Sequence, residues 1–431
     1  MMNLKIIIIL FFLTYSFCVS TEIKWNKVFY NDSLRFIAID NSDSLYCMAL
    51  AAGRTYKKVV LKSTDAGLTW YYVLMDSLVF KNGKWPKDPQ DIAYPTRDFC
   101  IVSLDSNSFL RTKDGGITWE EIKIDLPSYV PFGFFEVHLL DENNGLLAAR
   151  QHLAISHDGF DTWKIVPIPC KDIILCSEMP ASHSICVIGF DKKFYRSDDD
   201  GNTWNKYEHP DYTMPMRLQF IDSLIGYEVG GKRSGVGDIE YNLVYKTIDG
   251  GTTWFNSLDT VHGTSGLQKL DFYDKDNGIV VGQFGYIYWT SNGGNSWYFD
   301  SNDVFLNEIP PTINVCYIKK ERAIIVDFLG RIFISSETTD VEDNPVYNDD
   351  YILFQDATTD LLTIRFKNDI PYNTELQIFN SYGQKIPGLS HASEPGTNRI
   401  EIDVSSLSSG VYFAELSGSG KVRTIPFIVM R

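Results

Sequence analysis

Nine side chains that could bind or transform a ligand fall in predicted turns and loops of this 431-residue chain. They are arginines that could hold a carboxylate, aspartates that could act as a general acid or base, and polar or aromatic groups that could contact a sugar: Arg54, Trp85, Asp105, Arg150, His152, Asp191, Arg233, Gln283 and Asp327. Two opposed carboxylates can hydrolyse a glycosidic bond, but the spacing of these aspartates demands no such pair. Solvated turn residues would look the same, and Trp85 could instead pack against its own sheet, so all nine are candidate binding residues only.

Motifs for other chemistry are missing from the sequence. It has no Ser nucleophile elbow, no phosphate-binding loop and no HExxH phrase. The seven histidines show no metal-ligand spacing, and the cysteines form no close CxxC pair. We therefore assign no catalytic residue and expect no metal and no cofactor.

One short phrase recurs six times and indicates the elements that must position any site. It reads Ser-Thr-Asp-Ala-Gly-Leu-Thr-Trp in its first copy, at 63–70. Successive copies end in a tryptophan 49, 44, 41, 50 and 43 residues after the previous one. That period is typical of one four-stranded blade of a β-propeller. The acidic or amide position of the six copies is occupied by Asp65, Asp114, Asp158, Asp199, Asp249 and Asn292.

Each copy predicts a tight hairpin. The Asp side chain can accept hydrogen bonds from backbone N–H groups of its own turn, and a Gly two residues later can take a positive φ. The tryptophan then begins the next strand and packs between neighbouring blades. The phrase resembles the Asp-box, or BNR repeat, of sialidases and many other propellers, where it is structural. The resemblance therefore implies a structural role for these six residues.

The frame before each box predicts three strands, as at 270–290, and resembles the Ycf48-type branch of the BNR superfamily. A seventh frame at 312–336 lacks a box, and Trp25 lies 45 residues before Trp70, where a final strand of that blade would begin. The prediction is an all-β chain whose residues 21–336 form a seven-bladed propeller closed by its N-terminal strand. Closure would remove exposed sheet edges.

The chain ends differ in character from the propeller. Residues 1–20 read as a signal peptide, with Lys5 before a short apolar run too short to span a membrane. Residues 337–350 are an acidic linker. Residues 351–431 resemble the type A C-terminal sorting domain of type IX secretion, confined to Bacteroidetes-like bacteria, which implies a small Ig-like β-sandwich, contact with that secretion machinery, and a secreted or outer-membrane cell-surface location. Cys170 and Cys176 flank a short turn and could form a disulfide.

Three functions remain open at this point. A formal net charge of −16 argues against nucleic acid and anionic lipid as partners, and we expect no stable membrane span. The favoured hypothesis is a non-catalytic binding propeller for an extracellular glycan or protein. A sialidase-like glycoside hydrolase is the alternative, although the Arg-Ile-Pro phrase of sialidases is absent and Arg35-Phe-Ile is the nearest match. A Ycf48-like assembly factor is the second alternative.

Overall fold

A computed structural model describes most of the chain, and the strands are its only regular elements over the described residues. The described ranges are 23–53, 58–76, 88–105, 107–126, 134–170, 173–209, 213–233, 239–260, 267–282, 285–300, 313–319, 322–337, 351–356, 361–370, 374–380, 384–393, 397–408, 410–418 and 421–429. The predicted signal peptide and nearly all of the predicted linker lie outside them. No helix within these ranges has the length and hydropathy of a membrane span.

The first four sheets follow one another along the chain after strand β1, Ile23–Tyr30. Sheet one contains β2 (Leu34–Asn41), β3 (Cys47–Gly53), β4 (Lys58–Ser63) and β5 (Tyr71–Asp76). Sheet two contains β6 (Pro89–Ala93), β7 (Cys100–Leu104), β8 (Ser108–Thr112) and β9 (Glu120–Lys123). Sheet three contains β10 (Phe134–Leu139), β11 (Gly145–Ala149), β12 (His152–Ser156) and β13 (Lys164–Pro167). Sheet four contains β14 (Ile174–Ala181), β15 (Ser184–Gly189), β16 (Lys193–Ser197) and β17 (Asn205–Glu208).

Three more sheets repeat this arrangement. Sheet five contains β18 (Thr213–Phe220), β19 (Gly226–Arg233), β20 (Ile239–Thr247) and β21 (Phe255–Thr260). Sheet six contains β22 (Leu267–Phe272), β23 (Gly278–Gly282), β24 (Ile287–Thr290) and β25 (Tyr298–Phe299). Sheet seven contains β26 (Ile313–Lys319), β27 (Arg322–Asp327) and β28 (Arg331–Glu337), and its fourth strand is β1.

All seven of these sheets are antiparallel, and in the first six the strands pair in chain order, so each of those six is a meander. In the seventh sheet β1 pairs with β28, with Trp25 opposite Ser335. One apolar cluster joins the first and seventh sheets, since it contains Leu34 and Ala49 together with Ile324 and Ile334. The predicted seven-bladed all-β propeller is confirmed.

Burial within each sheet falls from the inner strands to the outer one. All five residues of β7 and of β11 are buried, whereas β9 is mostly exposed. The inner strands read as continuous apolar runs because a neighbouring sheet covers each of their faces. This stacking places the first strand of every sheet around a common centre.

The six hairpins that join third and fourth strands are held by their own side chains. In the first, Asp65 accepts hydrogen bonds from the Thr69 backbone N–H (2.8 Å), the Thr69 hydroxyl (2.6 Å) and the Ser63 hydroxyl (2.8 Å). The next two residues, Ala66 and Gly67, both have positive φ, at 62° and 83°. In the sixth hairpin Asn292 stabilises the turn in the same way. Its Oδ1 accepts a hydrogen bond from the Ser296 N–H, and its Nδ2 donates one to the Ser296 hydroxyl.

Two C-terminal sheets share one separate core. The smaller sheet contains β29 (Tyr351–Asp356), β30 (Leu361–Ile370) and β33 (Thr397–Asp403). The larger has the order β32 (Lys385–Ser393), β31 (Thr374–Asn380), β34 (Gly410–Gly418) and β35 (Lys421–Val429). Their shared core includes Leu362, Leu376, Ile400 and Ala414. The Ig-like topology of this region stays a prediction. Within the propeller, Cys170 and Cys176 are not joined by a disulfide, so the possible bridge is not formed.

Candidate functional site

A cavity of about 180 Å³ lies where the first strands of all seven sheets meet. Every one of these seven strands contributes a charged or amide side chain to the lining: Asp40, Asp91, His138, Glu178, Arg217, Gln219, Lys269, Asp271 and Asn314. Successive side chains of a strand point to opposite sides, so residues two apart in one strand reach the cavity together. Arg217 and Gln219 of β18 do so, as do Lys269 and Asp271 of β22.

Arg217 is the main positive charge of the cavity. Its Nη1 lies 3.1 Å from Asp91 Oδ2 and 3.7 Å from Glu136 Oε1. Glu136 also accepts hydrogen bonds from the Ser177 backbone N–H (2.9 Å) and hydroxyl (2.8 Å). Burial would raise the pKa of Asp91, but Arg217, Lys269 and His138 outweigh burial and hold that pKa below its usual value. One guanidinium thus links carboxylates from the second and third sheets.

His138 forms a second charged group with the carboxylates beside it. Its Nδ1 lies 3.4 Å from Glu178 Oε1, and its Nε2 lies 3.6 Å from Glu136 Oε2. Burial lowers the pKa of His138, but the Glu178 and Glu136 carboxylates together outweigh burial and raise it to about 9. Burial likewise would raise the pKa of Glu178, but His138 lowers it below its usual value. His138 is therefore a cation at neutral pH.

Two carboxyl groups on the other side of the cavity have no cation within salt-bridge distance among the described residues. Burial raises the pKa of Asp40 to about 7, although its Oδ2 accepts a hydrogen bond from the Tyr94 N–H at 2.7 Å. Burial also raises the pKa of Asp271 to about 6, although it accepts hydrogen bonds from the Gln219 amide (2.9 Å) and the Tyr317 N–H (2.6 Å). Both groups exchange protons near neutral pH.

Two buried polar atoms of the cavity lining make no hydrogen bond within the described structure, Gln219 Oε1 and His138 Nε2. Unpaired buried polar atoms are costly, and a ligand or an ordered water usually satisfies them. Around the cavity, five described carboxyl groups face three described cations, His138, Arg217 and Lys269. The excess of acceptors suits a group rich in hydrogen-bond donors. The group with metal-ligand geometry among the described residues, His157, His183 and Asp200, lies outside this cavity.

Of the nine sequence-predicted residues, those whose side chains the structure describes do not line this cavity. Arg54, Trp85 and Gln283 lie outside the described residues, and of Arg233 only the backbone is described. Arg150 and Asp105 are exposed, and His152 is buried at the start of β12. As binding residues, all nine stay predictions.

All three predicted aspartates accept hydrogen bonds, Asp191 and Asp327 within their own turns and Asp105 from the segment that precedes β6. Asp105 accepts a hydrogen bond from the Asp88 N–H at 2.9 Å, and Asp191 accepts one from the Tyr195 hydroxyl at 2.5 Å. Asp327 is fully buried and accepts from Arg331 Nε at 2.6 Å. Burial raises the pKa of Asp327 to about 6, against hydrogen bonds from the Arg331 and Leu329 N–H groups.

Sequence reasoning from turns missed the cavity because its polar groups belong to strands. The available signal was the pairing of charged or amide residues two positions apart inside otherwise apolar first strands. Glu136 and His138, Arg217 and Gln219, and Lys269 and Asp271 show it.

Comparison with known proteins agrees with both parts of this architecture. Residues 358–430 match the family described as "Secretion system C-terminal sorting domain". The chain carries a C-terminal sorting domain. This sorting domain indicates export by type IX secretion, to the cell surface or into the medium. No curated protein matches the sequence significantly.

Two solved structures resemble the propeller. One is titled "YCF48 bound to D1 peptide"; it is 12% identical, with a TM-score of 0.55, and the match covers 73% of this chain and 95% of that one. The other is YCF48 from Cyanidioschyzon merolae, 16% identical with a TM-score of 0.52, covering 72% of this chain and 98% of that one. The Ycf48-like resemblance predicted from the repeat is confirmed at the level of the fold.

Proposed function

We propose that this protein is a non-catalytic binding propeller, exported through its sorting domain, that holds a donor-rich end group of an extracellular ligand in the central cavity. Residues 1–20 would then act as a signal peptide, and the secretion machinery would recognise residues 351–431. The observation that carries it is the buried cavity itself, where the acceptor Gln219 Oε1 lacks a hydrogen-bond partner among the described residues and carboxyl groups outnumber cations.

The size and charge of the cavity limit the kinds of ligand that it can bind. A volume of about 180 Å³ is below the roughly 300–1,000 Å³ of pockets that enclose a drug-sized molecule. It can accept the end of one side chain or one substituent of a sugar, while the rest of the ligand stays outside. Since carboxyl groups outnumber cations around it, we expect an ammonium or guanidinium group, from a lysine, an arginine or an amino sugar. The YCF48 structure with a D1 peptide gives a precedent for peptide binding on this fold.

One observation favours the glycoside hydrolase as a second candidate. Burial raises the pKa of Asp40 to about 7, and a carboxyl group that is protonated near neutral pH can act as a general acid. Asp91 and Glu136, whose carboxylates both contact Arg217, would then have to supply a base or nucleophile. Because Arg217 helps to hold the pKa of Asp91 below its usual value, the Asp91 carboxylate is ionised at neutral pH and could accept a proton.

The deciding experiment screens the purified chain on a peptide array and on a glycan array that includes glucosamine-containing glycans, alongside a panel of fluorogenic glycosides. We expect binding to probes that present a free amine or guanidinium, and no turnover. Hydrolysis of any glycoside that Asp40→Asn abolishes would establish the enzyme instead. Binding only to anionic or uncharged probes would contradict the proposed ligand class.

A further inference from the structure

His157, His183 and Asp200 meet outside the cavity, at the seam between the third and fourth sheets. Asp200 Oδ1 lies 3.1 Å from His157 Nε2, and Asp200 Oδ2 lies 2.9 Å from His183 Nδ1. All three possible ligand atoms lie within 4.8 Å of one another. Two imidazoles and one carboxylate are the donor set that zinc and its neighbouring transition metals prefer.

The three residues come from separate turns that the fold brings together. His157 is the second residue of the third hairpin phrase, His183 lies in the turn between β14 and β15, and Asp200 is the fourth residue of the fourth hairpin phrase. Asp200 has a positive φ of 55°. The equivalent position is Ala66 in the first hairpin, and in the other four it is glycine: Gly115, Gly159, Gly250 and Gly293. Among the six hairpins, only the fourth therefore places a carboxylate there.

Hydrogen bonds beneath His157 fix which of its ring nitrogens is free to coordinate. Asn144 Nδ2 donates to both carboxylate oxygens of Asp141, at 2.9 and 3.1 Å, which fixes the orientation of the Asn144 amide. Asn144 Oδ1 then lies 2.8 Å from His157 Nδ1 and must accept its proton. In a neutral ring the lone pair of Nε2 therefore faces the Asp200 carboxylate. Two acceptors at 3.1 Å require a proton or a metal cation between them.

At this seam the bridging cation comes from a different strand than at four other seams. Directly before four of the hairpins stands a lysine or arginine whose side chain reaches the backbone carbonyl of the fourth residue of the next hairpin. The four bonds are Lys62 to Gly115 (2.8 Å), Arg111 to Gly159 (2.6 Å), Arg196 to Gly250 (3.2 Å) and Lys246 to Gly293 (2.6 Å). In the third sheet this position is Ile155, and Lys164 from β13 donates to the Asp200 carbonyl instead. The lysine thus contacts the backbone of Asp200, while the carboxylate of Asp200 contacts the two histidines.

We propose that His157 Nε2, His183 Nδ1 and Asp200 bind one divalent transition-metal ion of the zinc type, which cross-links the third and fourth sheets. Tetrahedral ligands at the usual zinc distances lie about 3.4 Å from one another, close to the 2.9 and 3.1 Å between Asp200 and the two rings. The His183 side chain is 62% exposed and that of His157 37%, so the remaining coordination positions face solvent. Asn144 orients one ligand from behind, as outer-shell partners do in metal sites.

Isothermal titration of the untagged full chain with zinc chloride at pH 7.5 tests the site. We expect one zinc ion per chain, and no binding of magnesium, which prefers oxygen ligands. His157→Asn and His183→Asn should each weaken zinc binding more than tenfold. His391→Asn, which changes an exposed histidine in the sorting domain, should leave it unchanged.

Two further measurements keep the result interpretable. Thermal unfolding in a chelator should give the same midpoint for wild type and both seam variants, since the metal rather than the fold is lost. X-ray absorption of the zinc complex should show nitrogen and oxygen ligands at about 2.0–2.2 Å. The proposal would be overturned if the wild type failed to bind zinc, or if His157→Asn and His183→Asn bound zinc as tightly as the wild type. A proton would then bridge His157 and Asp200.

Discussion

The hairpins and the cavity satisfy their charges in opposite ways. In each of the six hairpins, the Asp or Asn binds partners no more than four residues away, as Asp65 binds Ser63 and Thr69. In the cavity, the partners come from different sheets, and Arg217 and Asp91 are 126 residues apart. A hairpin can therefore form its contacts alone, whereas the charges of the cavity are compensated only when the ring has assembled.

This difference has consequences for stability. A substitution in one hairpin should remove only the contribution of that hairpin to the free energy of unfolding. The hydrogen bonds of the other hairpins should be unaffected. A substitution in the cavity should leave buried charges unpaired on several sheets, because each side chain serves more than one partner. Cavity substitutions should therefore cost more free energy of unfolding than hairpin substitutions.

The largest effect is expected for Arg217→Met, which keeps the side chain long and removes its charge. Asp91 and Glu136 would lose their shared guanidinium, and breaking a buried ion pair typically costs about 3 kcal/mol or more. Urea unfolding measures the loss. Arg97→Met is the matched control, since its pair with Asp43 is at the surface, with side chains 55% and 33% exposed, and should cost much less. Equal losses in the two variants would contradict the contrast between the regions.

The next effect concerns pH. With a folded-state pKa of about 7, against about 3.9 in the unfolded chain, Asp40 binds more protons when folded. Its contribution to stability is therefore present at low pH and is lost as pH rises toward 7. Compared with wild type, Asp40→Asn should lose less stability between pH 5 and 7, by about 2 kcal/mol. Urea midpoints of both proteins at the two pH values measure this, and parallel pH profiles would show that Asp40 titrates normally.

The smallest effect is expected in a hairpin. Asp65→Ala removes the acceptor for three hydrogen bonds and should cost about 1–2 kcal/mol. Asp65→Asn should cost much less, because Asn292 already serves the same hairpin position in the sixth copy. Urea unfolding of the two variants separates the cases. If the Asn variant lost as much as the Ala variant, charge rather than hydrogen-bond geometry would hold the hairpin.

The same contrast explains what could be predicted from the sequence. The hairpin phrase is local, so its six copies predict six sheets, and the frame at 312–336 with Trp25 at the same period predicts the seventh sheet and the strand that pairs with β28. The tail was recognisable because its residues follow a family pattern. The cavity depends on which side of each first strand faces the centre. It also depends on contacts between distant sheets, such as that of Arg217 in the fifth sheet with Asp91 in the second. No spacing in the sequence reports such contacts.

The charged residues predicted in turns show why charge in a turn is a weak signal of a functional site. The sequence predicts Asp191 and Asp327 as candidate binding residues because they are charged and lie in turns. Their carboxylates instead accept hydrogen bonds from Tyr195 and Arg331 within the same turn. A charged residue in a turn can be held by its own backbone and neighbours. Charge inside an apolar strand has no such local partner, and Lys269 and Asp271 in β22 were therefore the stronger signal.

The most direct test of the central cavity as the binding site is the dissociation constant of the best array probe for two glutamine variants. Glu178→Gln removes a cavity carboxylate, and Glu142→Gln makes the same change at an exposed turn. The cavity account predicts at least about tenfold weaker binding for Glu178→Gln and unchanged binding for Glu142→Gln. Equal affinity in both variants would place the ligand elsewhere on the propeller and contradict the account.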